Sequence, residues 1–166
     1  PYAPGGPMIV FTGAMDYWPN VEAVQWFVDA VLPLIRTRQP DVRFTIVGSN
    51  PTEAVTALGR QPGIQVTGRV PDVRPYLKFA DVAVAPLRIA RGIQNKVLEA
   101  LAMARPVVCS GPAAEGLRDS PEVSQATADD PQQFAEKVVQ RLGAQPQSAH
   151  RAFVTEHYSW ESQLSR

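Results

Sequence analysis

A single cysteine occurs among 166 residues, so no intramolecular disulfide can form and nothing ties the chain to an oxidising compartment. Cys109 lies in the apolar run Pro106-Val107-Val108-Cys109 and reads as a small buried hydrophobe rather than a reactive thiol. Histidine is almost as scarce. His150 and His157 are the only two, and neither falls at ligand spacing from another donor, so no metal is expected. Excess charge of one sign is missing too, because 16 basic and 16 acidic residues cancel. That excludes a strong field for nucleic acid or a membrane surface, and leaves any anionic ligand to local groups. No signal peptide is recognisable and no apolar run approaches the roughly 20 residues of a membrane span, which predicts a cytoplasmic chain. An initiator methionine is also lacking. Residues 1–7, Pro-Tyr-Ala-Pro-Gly-Gly-Pro, read as a linker, so the chain is expected to be one domain of a longer protein.

Apolar residues make up 45% and charged residues 19%, enough for a buried core. Short apolar runs end repeatedly in glycine: Met8 to Thr12 before Gly13, Val42 to Val47 before Gly48, Ile64 to Thr67 before Gly68. Asp81 to Pro86 and Pro106 to Cys109 are two more such runs, and Glu122 to Ala126 is expected to be a last short strand. Helical spacing fills the intervals at Val21–Arg36, Pro51–Leu58, Pro71–Phe79 and Gly92–Ala104. It resumes at Asp130–Leu142, capped by Asp129 or Asp130 before Pro131, and in closing helices at 147–156 and 160–165. Strands that are wholly apolar and alternate with helices predict a parallel sheet covered on both faces. The expected fold is α/β, a Rossmann-like doubly wound sheet in three layers, as one domain over residues 8–166. Ligands of such folds sit at the carboxyl ends of the strands.

The segment from Ala90 to Val108 carries the chemistry. Gly92 is expected to open an Ala/Leu-rich helix whose free N–H groups and positive dipole end favour a phosphate. Lys96 in the first turns opposes that dipole, and Glu99 in an otherwise apolar turn would have to be desolvated. A ligand explains both: the lysine meets a diphosphate, and the carboxylate accepts hydrogen bonds from ribose hydroxyls. The alternative is a Lys96–Glu99 ion pair on a solvated helix face.

Leu98-Glu99-Ala100-Leu101-Ala102-Met103-Ala104-Arg105-Pro106-Val107-Val108 closely resembles the donor-domain motif of GT-B glycosyltransferases of the family-4 type. Gly68-Arg69-Val70-Pro71-Asp72, the Asp81–Pro86 strand and Tyr158-Ser159-Trp160-Glu161 extend the likeness over nearly the whole chain. The string Gly92-Ile93-Gln94-Asn95-Lys96-Val97-Leu98-Glu99-Ala100 is most similar to bacterial exopolysaccharide sugar transferases, including those associated with exosortase (PEP-CTERM) systems. The resemblance implies a C-terminal, donor-binding domain that holds a nucleoside-diphosphate sugar, UDP-linked by preference. It also implies a retaining transfer without a bound metal or other cofactor, and a glycan or lipid-linked acceptor. Its partner is the N-terminal acceptor-binding domain of the same protein, which would bring the chain to the inner face of the membrane. Glu99 then binds the ribose, and Arg69 and Val70 line the base pocket after Gly68.

Two positions depart from the family pattern. Arg91 stands where a first glutamate is usual, eight positions before Glu99, and the first loop, Gly13 to Asn20, has neither the arginine nor the lysine that often meets the diphosphate. The expected clamp is therefore Arg88, Arg91, Lys96 and the Gly92 and Ile93 amides, with Arg91 and Lys96 as candidates for stabilising the leaving diphosphate. Arg88 and Arg91 as plain surface arginines are the alternative. Gly13 and Leu98 complete the expected nucleotide-sugar site. Met15, Asp16 and Tyr17 are expected at an interdomain cleft, with Asp16 a site candidate. Trp18, Trp26 and Phe27 are expected in the core, and Gly48-Ser49-Asn50-Pro51 could contact a nucleotide, although turn geometry alone accounts for its glycine. Rival functions are a GT-B-like sugar-nucleotide epimerase domain, which lacks recognisable acid/base residues here, and a receiver-like regulatory domain. The receiver reading requires acidic strand ends where this chain has Gly13, Gly48, Gly68 and Pro86.

Overall fold

A computed structural model describes residues 7–90, 94–115, 117 and 121–142. Five strands form one parallel sheet: β1 (Met8–Thr12), β2 (Arg43–Val47), β3 (Ile64–Val66), β4 (Val82–Ala85) and β5 (Val107–Cys109), in the order β3-β2-β1-β4-β5. β1 runs in register with β2 from Met8 opposite Arg43 to Thr12 opposite Val47, and pairs on its other edge with β4 through Ile9–Val82 and Val10–Ala83. Every residue of β1 and β4 is buried, which is why these strands read as continuous apolar runs rather than as alternating ones. The chain builds outward from β1 to β3, then crosses back to place β4 on the other side. Right-handed crossovers therefore put helices on both faces and open a crevice beside the C-terminal end of β1. This is the expected Rossmann-like α/β architecture.

The first helical region is one run in three parts: α1 (Trp18–Trp26), a π turn (Phe27–Val31) and α2 (Leu32–Arg36); the later helices are α3 (Glu53–Leu58), α4 (Arg74–Phe79), α5 (Asn95–Ala102), α6 (Gly111–Ala114), α7 (Pro121–Gln125) and α8 (Pro131–Arg141). Pro33 explains the interruption. It has no N–H to give, and its ring would press on the carbonyl four residues back; the wider turn, with Leu32 N–H bonded to Phe27 O, relieves both. Phe27 packs against Phe44 of β2 with centroids 4.6 Å apart and ring planes tilted by 48°. Phe134 of α8 (Pro131–Arg141) meets Phe27 and Trp26 edge-on at 6.0 and 5.8 Å. Asp130 caps α8 by accepting from the Gln132 and Gln133 amides, as its place before Pro131 predicts. Cys109 is buried and free, and desolvation pushes its thiol up to about 11, consistent with an inert core residue.

Three expectations are corrected. The segment expected as a last strand, Glu122–Ala126, lies largely within a helix, α7 (Pro121–Gln125), opened by proline at its first position; sheet pairing is limited to a single bridge between Cys109 and Thr127. Trp18, expected in the core, is 55% exposed. Met15, expected at a cleft, is fully buried. The helices expected at 147–156 and 160–165, with His150, His157 and the Tyr158–Glu161 string, lie outside the described residues. So does the opening linker, residues 1–6.

Helix α5 (Asn95–Ala102) ends in a two-bond cap, with Arg105 N–H donating to Ala100 O at 3.0 Å and Ala104 N–H to Leu101 O at 2.9 Å. The residue that turns the chain is Ala104, at φ 56°, a position that favours glycine. Ala104→Gly should stabilise the domain by about 1 kcal/mol, read as a higher urea midpoint at unchanged m-value. An unchanged or lower midpoint would show that the Ala104 methyl contributes packing that offsets its backbone strain.

Candidate functional site

The loops after β1 and β2 are zipped together by backbone alone. Gly13 N–H donates to Val47 O (3.0 Å), Met15 N–H to Ser49 O (2.8 Å) and Thr52 N–H to Met15 O (3.3 Å). The approach is so close that a Cβ on Gly48 would sit 1.6 Å from Gly13 O, so glycine at 48 is a steric requirement. Met15 plugs the seam from below, which is why it is buried rather than facing a cleft.

Above this seam opens a cleft of about 750 Å³. Its floor is Thr12, Gly13, Ala14, Val47 and Gly48. Ser49, Asn50, Arg69, Val70 and Val73 form one wall, and Asn20 with Gln94, Asn95, Lys96 and Glu99 of α5 and its approach forms the other. It lies where the strand order reverses. The helix begins at Asn95, two residues past the segment expected to supply free amides; among the described residues the Asn95 and Lys96 N–H groups have no acceptor. They present the positive end of α5 to the cleft.

Lys96, second residue of the helix, folds its half-buried side chain back over β1, with Nζ 5.4 Å from the Phe11 ring centroid. Burial holds its pKa below the ordinary lysine value, opposed by the nearby charge of Glu99. Burial likewise raises the Glu99 carboxyl above the usual range, with Lys96 pulling the other way. The intrahelical ion pair does not form: among the described residues the only ion pair within 4 Å is Arg74–Asp72. Among the described residues Lys96 thus presents an ammonium without a hydrogen-bond or ion-pair partner, and Glu99 stands at the rim a turn further along.

Of the expected site residues, the cleft brings together Gly13, Arg69, Val70, Lys96 and Glu99. Gly68, before Arg69, adopts φ 71° with open space around it, so backbone conformation rather than crowding requires glycine there. Leu98 does not line the cleft. Arg88 does not either; its guanidinium carbon stands 4.8 Å from the Trp26 ring centroid. Asp16 is exposed and lies outside the lining. Arg91, Gly92 and Ile93 lie outside the described residues. Ser49 and Asn50, raised from the sequence as possible nucleotide contacts, do line the cleft, whereas sequence reasoning missed Asn20, Gln94 and Asn95. For Asn20 the available signal was an amide at helical spacing before an apolar run, which reads equally well as part of a Pro-Asn turn.

Residues 6–143 match the family described as glycosyl transferases group 1. The chain belongs to that family. No curated protein matches the chain. Among solved structures, this group 1 domain resembles a substituted S. aureus TarM in complex with fondaparinux, α-GlcNAc-glycerol and UDP. The TM-score is 0.74 and the identity 17%, over 99% of this chain and 36% of that one. It resembles the Anabaena HepE protein in complex with UDP-glucose at TM-score 0.70 and 14% identity, over 96% of this chain and 47% of that one. A third neighbour is the catalytic domain of the Helicobacter pylori cholesterol-α-glucosyltransferase, at TM-score 0.60 and 14% identity over 90% and 97% of the two chains. At such identities the likeness is one of fold. The chain spans about a third to a half of the length of the first two. Among the described residues no helix is long and apolar enough to cross a membrane.

Because the Lys96 charge is desolvated without a partner, Lys96→Met should raise Tm of the free chain at pH 7. The sign follows from the lowered pKa: the unfolded chain holds the lysine proton more tightly, so the cost is fully present below the depressed pKa and is relieved as pH rises towards 10.5. The gain in Tm should therefore shrink at alkaline pH. Equal gains at both pH values would assign it to packing instead.

Proposed function

We propose that this group 1 domain is the donor-binding half of a retaining glycosyltransferase, holding a nucleoside-diphosphate sugar for transfer to a glycan or lipid-linked acceptor. The observation that carries the reading is the Lys96 ammonium, desolvated and, among the described residues, unpartnered beside the Asn95 and Lys96 amides, which likewise have no acceptor there. One turn away the Glu99 carboxylate can accept from vicinal ribose hydroxyls. Arg69 and Val70 on the facing wall are placed to take the base. UDP is the favoured nucleotide, in keeping with the UDP and UDP-glucose complexes of TarM and HepE. The domain is taken to span residues 8–166 after a short linker. Its cellular setting is the cytoplasm, with exopolysaccharide synthesis as the process, as the motif resemblance implies. An acceptor-binding domain would close over the cleft at the inner face of the membrane.

The chemistry asked of these residues is electrostatic. As the bond from sugar to diphosphate breaks, negative charge grows on the leaving phosphate, and Lys96 with the α5 amides is preorganised to receive it. Arg91 is assigned the same role from its place in the motif. No protein nucleophile and no metal enter this scheme.

Glu99→Ala should weaken UDP binding by about 1.5–3 kcal/mol, the scale of hydrogen bonds to a charged group, in isothermal titration; unchanged affinity would remove Glu99 from the site. Affinity for UDP should rise with pH through the raised Glu99 pKa, since the hydroxyls bind the carboxylate form, and fall again as Lys96 deprotonates. Lys96→Ala and Arg91→Ala should each penalise UDP more than uridine. Equal losses would return both residues to a surface role.

The chain alone should bind UDP but transfer no sugar, because an open cleft leaves water to screen the charges that stabilise the leaving group. Incubation with labelled UDP-sugars and a panel of lipid and glycan acceptors, beside the full-length protein, tests this. Efficient transfer by these residues would place the whole catalytic machinery within them.

A further inference from the structure

Arg43 is the first residue of β2, at the end of the sheet opposite the cleft. Its backbone is fixed by register with Met8 and by its N–H, which donates to Pro7 O at 2.9 Å. The side chain is partly buried, and its Nε and Nη2 are enclosed without a hydrogen-bond partner. No carboxylate comes within 4 Å of it, because the one such ion pair among the described residues is Arg74–Asp72. Of the three guanidinium nitrogens, Nη1 alone is not enclosed. A cation stripped of water on two nitrogens gains more than an ordinary surface arginine from an anion at the third.

What lies beside it is a cavity of about 300 Å³, lined by Arg43 with Arg36, Asp41, Val42, Pro62 and Gly63. Arg36, the last residue of α2, is anchored there by Nη2, which donates to Pro62 O at 2.6 Å. Its other nitrogens make no bond among the described residues. A Cβ on Gly63, at φ 78°, would stand 3.0 Å from that Nη2 and 3.4 Å from Val42 O, so the absence of a side chain leaves the guanidinium its seat. The walls are held by backbone: Val42 N–H donates to Gln39 O at 3.1 Å, Phe44 N–H to Gly63 O at 2.9 Å and Ile64 N–H to Gln61 O at 3.2 Å. Asp41 is exposed and pairs with neither arginine, which leaves the cavity with an excess of positive charge.

We propose that Arg36 and Arg43 form a second anion site, for a phosphate group, where β2 and β3 begin. Guanidinium forks match carboxylate and phosphate alike, but phosphate has the additional oxygens to meet two forks at once and a charge of about −1.5 to −2 at pH 7. The five residues of β2 separate this site from the cleft by about 16 Å. It therefore does not compete with a nucleotide held there, and it does not depend on the donor-binding reading.

NMR of the arginine Nε–H groups reads the site directly, on the whole chain carrying Lys96→Met so that the cleft lacks its cation. Inorganic phosphate should shift the Arg36 and Arg43 signals, and chloride at equal ionic strength should not. Arg43→Met should weaken the phosphate response of Arg36 by about 10-fold or more, the scale of a hydrogen bond to a charged group. Arg36→Met should do the same to Arg43, and it keeps the test available if Arg43→Met fails to fold. Cosedimentation with phosphatidylcholine vesicles, with and without phosphatidic acid, separates the two sources of phosphate. A response to the free ion assigns a soluble phosphate, and binding confined to phosphatidic acid vesicles and lost in Arg36→Met assigns a lipid headgroup. Signals that ignore phosphate together with no vesicle binding, equal shifts with chloride, or a response that survives both substitutions would overturn the site.

Discussion

The cleft exists because two backbones touch. The turn after β2 can lie against the turn after β1 only if residue 48 has no side chain, since a Cβ there would overlap Gly13 O. That contact sets the rest in order. It brings Val47 O within reach of Gly13 N–H and Ser49 O within reach of Met15 N–H, and it drives Met15 down into the core. It also holds the Gly13–Ala14 peptide as a flat floor under the first turn of α5. A larger residue at either glycine would lift the floor, and the lysine and the carboxylate would lose their common reference. Mobility would be a poor substitute, because charge stabilisation depends on dipoles fixed before the reaction begins.

Against this rigid floor the ionisable groups are arranged unfavourably for stability. A lysine near a helix N-terminus is repelled by the dipole, and here it is also half-buried with, among the described residues, no partner but an aromatic ring. Rotating its side chain outward would relieve both costs and bring it towards Glu99. In the structure the stem instead passes beside Gly13 and the ammonium lies over Phe11. Such local frustration is what an anion would resolve, since one diphosphate could satisfy the lysine, the free amides and the dipole together.

Much of this was legible in the sequence for a simple reason. Strands buried on both faces are wholly apolar, and glycines mark the turns where backbones crowd, so β1 to β5 and the end of the sheet that binds could be read residue by residue. The Leu98–Val108 motif likewise exposes its own conflict, a carboxylate within an Ala/Leu-rich helix. What was not legible depends on contacts between distant segments. Trp18 resembles any aromatic at a helix entry, and only the direction of α1 leaves it exposed. Glu122–Ala126 comes where one more strand could follow β5, yet most of it is helical and the sheet is met only by the bridge at Thr127. Asn20 lines the cleft beside Gly13 and Lys96, a fact that no local pattern carries. The helix expected from Gly92 begins at Asn95 because Gln94, at φ −88° and ψ 108°, is still extended.

Trp26 shows how far from the cleft its geometry is held. One side of the indole meets Phe134 at 85°, and the same ring lies under the Arg88 guanidinium. The first contact docks α8, whose own start is fixed by Asp130, onto the helix that carries Asn20. The second tethers the β4–α5 loop, the segment that leads into Lys96. A single side chain thus joins α8 to the two segments that build the Asn20–Lys96 wall of the cleft, through contacts each of which is individually modest, about 0.5–1.5 kcal/mol for an edge-on aromatic pair and about 0.5–2 for a stacked arginine. Arg88 holds the loop to α1 through the attraction of its cation for the indole face, and in this arrangement it is not among the residues that line the cleft.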